Sequence, residues 1–197
     1  MMAEAERELR ATLALDPVSN FARFRIPRVM WQQQRFAEAL AAYQGDRALG
    51  WSTSISEEAL VLGYLGRADE GLRLLARYPV ADAMTGDSEA AAAVLLARLG
   101  RTADARMNMR KAEQMGAGRS HFHHAAFAIA TAHAIMGEKA EAVRWLERTA
   151  RDGMPSYTLF ASDPALSTLK GVPEFEAMMT KLQAESDRYR RIYAEAQ

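Results

Sequence analysis

A small residue recurs along this chain at intervals close to 34 residues. Ala39, Gly71, Ala105 and Ala142 are separated by 32, 34 and 37 residues, and Ala5 lies 34 residues before Ala39. All of these residues except Ala5 share one frame. A turn-type residue stands five positions before the small residue, and a bulky apolar residue stands four positions after it. The frames are Gln34…Ala39…Tyr43, Gly66…Gly71…Leu75, Gly100…Ala105…Met109 and Gly137…Ala142…Leu146. This period in helix-type segments predicts stacked helical hairpins. Such stacks usually provide a binding surface rather than an active site.

Composition excludes several classes of protein. The 197 residues are 49% hydrophobic and 25% charged, which indicates a folded chain and not a disordered one. The absence of Cys excludes a disulfide scaffold and a thiolate zinc site. A formal charge of zero argues against nucleic-acid partners, and the lack of long apolar runs argues against membrane insertion. We expect a cytoplasmic location if the chain is full length. The location is unknown if the chain was excised from a larger membrane protein. The half-unit at the start suggests excision from a larger protein.

The hydrophobic pattern predicts helices throughout and no strand. Glycines after three of the segments, Gly66, Gly100 and Gly137, are typical of helix ends that need a positive φ. Pro27 is expected to kink or shorten its helix, and Asp163-Pro164 to start a short one. The expected helices are 3–15, 20–33, 35–44, 54–65, 67–78, 87–99, 102–115, 121–136, 138–151 and about 173–195.

These segments predict an all-α, right-handed solenoid. An N-terminal half-repeat helix would occupy residues 1–17. About four helical hairpins would follow over residues 18–155, at about 20–50, 51–84, 85–119 and 120–155. Residues 156–197 would form a loop, a short helix and a capping helix, because nothing stacks on the far side of a terminal repeat.

The repeating frame resembles the tetratricopeptide repeat over about residues 3–155. The small residues that let paired helices touch would be Ala59, Ala93 and Ala130 in the first helices, whereas Pro27 occupies that place in the first unit. The segment from His121 to Phe175 resembles a C-terminal module of bacterial signalling proteins that carry Ser/Thr kinase or winged-helix domains. The resemblance implies a non-catalytic protein-interaction scaffold in bacterial signalling, without a cofactor.

The resemblance also implies that the first helix of each pair lines a concave groove. Aromatic and Arg side chains there would anchor a protein or peptide partner. The alternatives are that the aromatic residues belong to the core and that the Arg residues are solvated or salt-bridged. The groove candidates are Phe24, Arg28, Trp31, Gln32, Tyr64, Arg98, His124, Phe127 and Thr131, with Phe21 beside them.

The histidines do not predict a metal site. His121 and His124 would share a helical face, but His133 lies nine residues beyond His124, about 13 Å along a helix at about 1.5 Å per residue. A zinc site needs three or four converging ligands. We expect the cluster to start a helix and bond to the preceding loop, with a pH-dependent interface as an alternative.

Other functions have weaker support. No phosphate loop, zinc-protease motif or nucleophile elbow is present, so no catalytic residue is predicted. The acidic pair Glu57-Glu58 suits a helix start, and Arg188, Arg190 and Arg191 suit a basic helix end. Two alternatives to partner binding are left open. One is self-assembly into a homo-oligomer through the half-repeat, and the other is a small-ligand sensor near residues 153–163.

Overall fold

The computed structural model of the chain describes residues 2–79, 85–116 and 118–195. Every regular element in these ranges is a helix, and none of them contains a β-strand. The α-helices are α1 (Met2–Leu15), α2 (Asn20–Gln32), α3 (Phe36–Ala48), α4 (Ile55–Tyr64), α5 (Ala68–Arg77), α6 (Asp87–Arg98), α7 (Thr102–Gly116), α8 (Phe122–Ile135), α9 (Lys139–Arg151), α10 (Tyr157–Ser162) and α11 (Pro173–Glu195), and η1 (Pro164–Leu169) is a 3₁₀-helix.

The predicted helices are present, with ends that differ mostly by one residue. Helix α3 continues to Ala48, four residues beyond expectation, and the positive φ that ends the segment comes at Gly50. Helix α2 begins at Asn20 and continues through Pro27 to Gln32, so Pro27 does not shorten it. Helix α10 was not predicted. Its start signal is Ser156, whose hydroxyl accepts a hydrogen bond from the Leu159 amide.

The turns within the hairpins follow the glycine pattern. Gly66, Gly100 and Gly137 have φ of 75°, 73° and 77°, a region that a Cβ atom disfavours. Gln34 adopts φ 62° at the equivalent turn between α2 and α3. Each of these four turns therefore contains a residue with positive φ at the position that the sequence frame predicts, and in one turn this residue is not glycine.

The chain divides into two compact units, Met1–Ala83 and Met84–Gln197. In unit 1, each of the helices α1 to α4 packs against the next one along the chain. Helix α4 is buried from Ile55 to Gly63, whereas α5 buries only one face.

In unit 2, α8 is the central helix. It packs against α6, α7, α9 and η1, and α10 and α11 complete the unit. The buried faces of α6 and α8 are rich in Ala, which lets helix axes approach closely. No helix in the described ranges is both long enough and apolar enough to cross a membrane.

Candidate functional site

Helix α2 of unit 1 carries aromatic and Arg side chains at the surface. Phe21 is 59% exposed, and the Arg25 guanidinium carbon lies 3.9 Å from the centre of its ring. Phe24 is half-buried, and the Arg28 guanidinium carbon lies 5.4 Å from its ring centre. We call Phe21, Phe24, Arg25 and Arg28 the α2 face. Cation–π pairs of this kind combine apolar area with positive charge.

The charge of Arg28 is balanced inside the protein. Its Nη2 lies 2.5 Å from Oε1 of Glu57, whose other carboxylate oxygen accepts a hydrogen bond of 2.6 Å from the Tyr43 hydroxyl. Burial, together with the neighbouring Glu57 carboxylate, raises the pKa of Tyr43 well above its ordinary value. Arg28 therefore fits the salt-bridged alternative, and its guanidinium is not a simple open anchor for a partner's carboxylate.

A second buried carboxylate lies next to the first. The Glu58 side chain is 1% exposed, and Arg47 donates to both of its oxygens at 3.1 and 2.9 Å. The hydrogen bonds to Glu58 raise the pKa of Arg47. Both acidic residues of the Glu57-Glu58 pair thus have cationic partners in unit 1, an arrangement typical of structural ion pairs.

Two further groove candidates of unit 1, Trp31 and Tyr64, form an aromatic cluster with Phe36. Trp31 is only 8% exposed, and its ring centre lies 6.2 Å from that of Tyr64. The half-buried Tyr64 stacks on Phe36 at 4.8 Å with an interplanar angle of 3°. Gln32 is half-buried at the end of α2. Trp31 therefore belongs to the core, as the alternative interpretation has it.

Two groove candidates of unit 2 are not on a groove surface. Phe127 is 3% exposed and stacks on Phe160 of α10 at 5.7 Å. Thr131 is 1% exposed, and its hydroxyl donates to the Phe127 carbonyl at 2.9 Å. Their burial does not favour contact with a partner, which stays a prediction, and Phe127 packs against the chain's own C-terminal segment. Thr168 of η1 extends that contact by donating to the Ala134 carbonyl at 3.4 Å.

The other two candidates of unit 2 are half-buried. Arg98 lies in the last turn of α6. His124 lies in the first turn of α8, where its ring stacks on that of His121 with a centroid separation of 6.2 Å and an interplanar angle of 4°. Arg98 and His124 lie on different helices, and part of each side chain is exposed to solvent.

The structure brings three histidines together where the sequence interpretation considered two. One nitrogen each of His121, His123 and His124 lie within 4.8 Å of one another, so the three could hold a metal ion. His123 was missed because regular helical spacing was applied from residue 121. His121 in fact precedes α8 with φ 69°, which removes the helical geometry on which that spacing depends.

The fourth histidine has a separate environment. His133 Nδ1 lies 2.5 Å from Oε2 of Glu138, and Oε1 of the same carboxylate accepts a hydrogen bond from Arg106. Partial burial acts to raise the pKa of Glu138, but the hydrogen bonds from Arg106 and His133 outweigh it and lower the pKa. His133 is thus part of a hydrogen-bonded network that links α7, α8 and the start of α9.

A cavity of about 290 Å³ lies between α10, η1 and α11. Tyr157, Phe160, Leu166, Phe175 and Met179 provide its apolar lining. Among its polar lining residues, Ser167, Glu176 and Thr180 form hydrogen bonds within the chain. Glu176, for example, accepts from the Gly171 amide at 2.9 Å and, through its backbone carbonyl, from Thr180.

Comparisons with known proteins identify no family. No protein-family profile matches the chain, and no characterised protein is significantly similar to it in sequence. Among solved structures, a tetratricopeptide repeat protein from Parabacteroides merdae ATCC 43184 is similar to this chain. It shares 15% identity with a TM-score of 0.46, over 93% of this chain and 72% of that protein. A likeness this weak indicates no function for this chain.

Proposed function

We propose that this chain is a non-catalytic interaction scaffold that binds a protein or peptide partner. The proposed architecture is a right-handed, tetratricopeptide-like solenoid of about four hairpins with a C-terminal cap. The observation that carries the proposal is the exposed pair of Phe21 and Arg25 beside the half-buried Phe24 on α2. Aromatic and Arg side chains dominate the binding energy at protein interfaces.

The α2 face is a better candidate for the binding site than a groove lined by the first helix of every pair. In unit 2 the equivalent side of α8 packs against the C-terminal segment, as the stacking of Phe127 on Phe160 shows. In unit 1, Phe21 is solvent-exposed on a helix whose other side packs in the core through Ile26, Val29 and Met30. A rigid helix presenting a ready-made surface lowers the ordering cost of binding.

The chemistry of the α2 face indicates the class of partner. Phe21 and Phe24 offer apolar area, and Arg25 offers a guanidinium that can bind a carboxylate in bidentate fashion. We therefore infer a peptide segment that presents an apolar side chain next to Asp, Glu or a C-terminal carboxylate. The placement in bacterial signalling comes from the sequence resemblance and is part of the proposal.

The test is peptide selection followed by affinity measurement. Peptides displayed on phage would be selected on the purified chain, and the binders titrated by fluorescence anisotropy. Phe21→Ala should weaken binding at least tenfold, which is about 1.4 kcal/mol. Because Phe21 is mostly exposed, the melting temperature should change little.

Tyr193→Ala is the matched control, since Tyr193 is an aromatic residue of α11 that is 45% exposed. It should leave the affinity unchanged. Equal affinity of Phe21→Ala and the unsubstituted chain would exclude the α2 face. Light scattering during the titration separates partner binding from self-assembly, because only self-assembly makes the apparent mass depend on concentration without peptide.

The small-ligand sensor is a second candidate, favoured by the cavity between α10, η1 and α11. Its volume of about 290 Å³ is near the lower end for ligand pockets. Thermal-shift screening against metabolites tests it, and Met179→Trp, which would fill the cavity, is the control variant. If a metabolite raises the melting temperature of the unsubstituted chain but not that of Met179→Trp, the result would favour the sensor over the scaffold.

A further inference from the structure

We propose that His121, His123 and His124 bind one late first-row transition-metal ion, with Zn²⁺ as the probe. One nitrogen of each ring lies within 4.8 Å of the others. Bound to one zinc ion, such nitrogens would be about 3.3 Å apart, since Zn–N bonds are about 2.0–2.1 Å long and tetrahedral. The proposal requires the side chains to rotate and close this difference, and His121 is exposed.

The backbone at the start of α8 creates this convergence. His121 has φ 69° and ψ 6°, a left-handed conformation that few non-glycine residues adopt. It places the His121 ring parallel to that of His124, with an interplanar angle of 4°. The rings of His123 and His124 have centroids only 4.4 Å apart. The imidazole rings of the three histidines therefore face one small region instead of pointing in different directions around the helix.

His123 is held in the form that a metal ligand needs. Its Nδ1 lies 3.1 Å from the carbonyl oxygen of Asp152, at the end of α9. A carbonyl oxygen can only accept, so Nδ1 carries the proton and donates; in the neutral ring, Nε2 is then the nitrogen with the lone pair that can bind a metal ion. A hydrogen bond from the second ring nitrogen to a carbonyl is the usual outer-shell support of a metal-bound histidine.

The donor set determines which ions would bind. Three neutral imidazoles suit Zn²⁺, Cu²⁺ and Ni²⁺, whereas Mg²⁺ and Ca²⁺ prefer oxygen ligands. Three protein ligands leave a fourth position for water or for a group from another molecule. The ion would also link the start of α8 to the end of α9 through His123 and Asp152.

Isothermal titration calorimetry of the metal-stripped chain with ZnCl₂ tests the proposal directly. We expect one ion per chain in a saturable isotherm and no heat of binding with MgCl₂. The double substitution His121→Gln and His124→Gln should weaken zinc binding at least tenfold. Circular dichroism of the variant checks that it is folded, and the single His124→Gln variant repeats the test if the double variant is not.

The control is His133→Gln, which removes the fourth histidine from the same helix but from outside the cluster. It should retain the zinc affinity of the unsubstituted chain. Cobalt substitution gives a spectroscopic readout, because four- or five-coordinate Co²⁺ absorbs strongly in the visible range. The proposal is overturned by non-saturable zinc uptake, by equal affinity in the double variant, or by a weak spectrum typical of octahedral Co²⁺.

Discussion

Replacing Arg47 by methionine tests how far unit 1 depends on a paired buried carboxylate. Glu58 has a side-chain exposure of 1%, and Arg47 provides two hydrogen bonds to it at 3.1 and 2.9 Å. Removing one partner of a buried ion pair costs about 3–5 kcal/mol, because the other charge is left without compensation. Arg47 is itself 29% exposed. Water can therefore reach part of the vacated space, and we expect the lower end, about 3 kcal/mol.

The measurement is urea denaturation followed by circular dichroism, which gives the free energy of unfolding. A loss of about 3 kcal/mol corresponds to a melting temperature lower by roughly 6–12 °C for a chain of this size. Arg67→Met is the matched control in the same unit. Arg67 binds Glu70 at 2.8 Å, but their side chains are 42% and 45% exposed. Such a surface pair contributes about 0–1 kcal/mol.

The comparison of the two Arg variants decides the question. A cost for Arg47→Met no larger than that for Arg67→Met would refute the reasoning. It would mean that the folded chain accommodates the buried Glu58 side chain without its cationic partner at little cost in free energy.

Three other predictions concern packing and pH. Trp31→Ala should lower the free energy of unfolding by about 3–5 kcal/mol in urea titrations, because Trp31 is 8% exposed. A small loss of unfolding free energy together with weaker peptide binding would instead indicate that Trp31 contacts the partner. Gly116→Ala should destabilise by about 1–3 kcal/mol in thermal melts, since its Cβ would overlap the Thr85 carbonyl oxygen and the Phe122 ring. The control Gly45→Ala, in α3 with nothing within 4 Å of the added atom, should stabilise by about 0.4–1 kcal/mol. Tyr43 has its pKa raised from 10.0 by burial, so its proton stabilises the folded state below pH 10 and this contribution is lost as pH rises further. Between about pH 9 and about pH 11 the unsubstituted chain should therefore lose more unfolding free energy than Tyr43→Phe; equal losses would contradict this.

Local chemistry in the sequence determined the helices and most of their ends. Ala-rich segments with helical periodicity favour helix through local propensity, and a glycine after the last apolar residue stops the helix by adopting positive φ. The turns at Gly66, Gly100 and Gly137 were predictable for this reason. The sequence likewise predicted a helix start at Asp163, whose carboxylate accepts a hydrogen bond from the Ala165 amide at 2.8 Å. The element that begins there is a 3₁₀-helix.

Tertiary structure alone decided what each side chain of the candidate site contacts. Phe127 and Phe160 are 33 residues apart in the sequence, and only the packing of α10 against α8 buries one on the other. The pairing of Arg28 with Glu57 likewise joins two helices. The histidine cluster depends on a single left-handed residue, His121, that no local pattern marks. Helical periodicity depends on neighbours a few positions away, whereas burial, ion pairing and ligand convergence depend on contacts between segments distant along the chain.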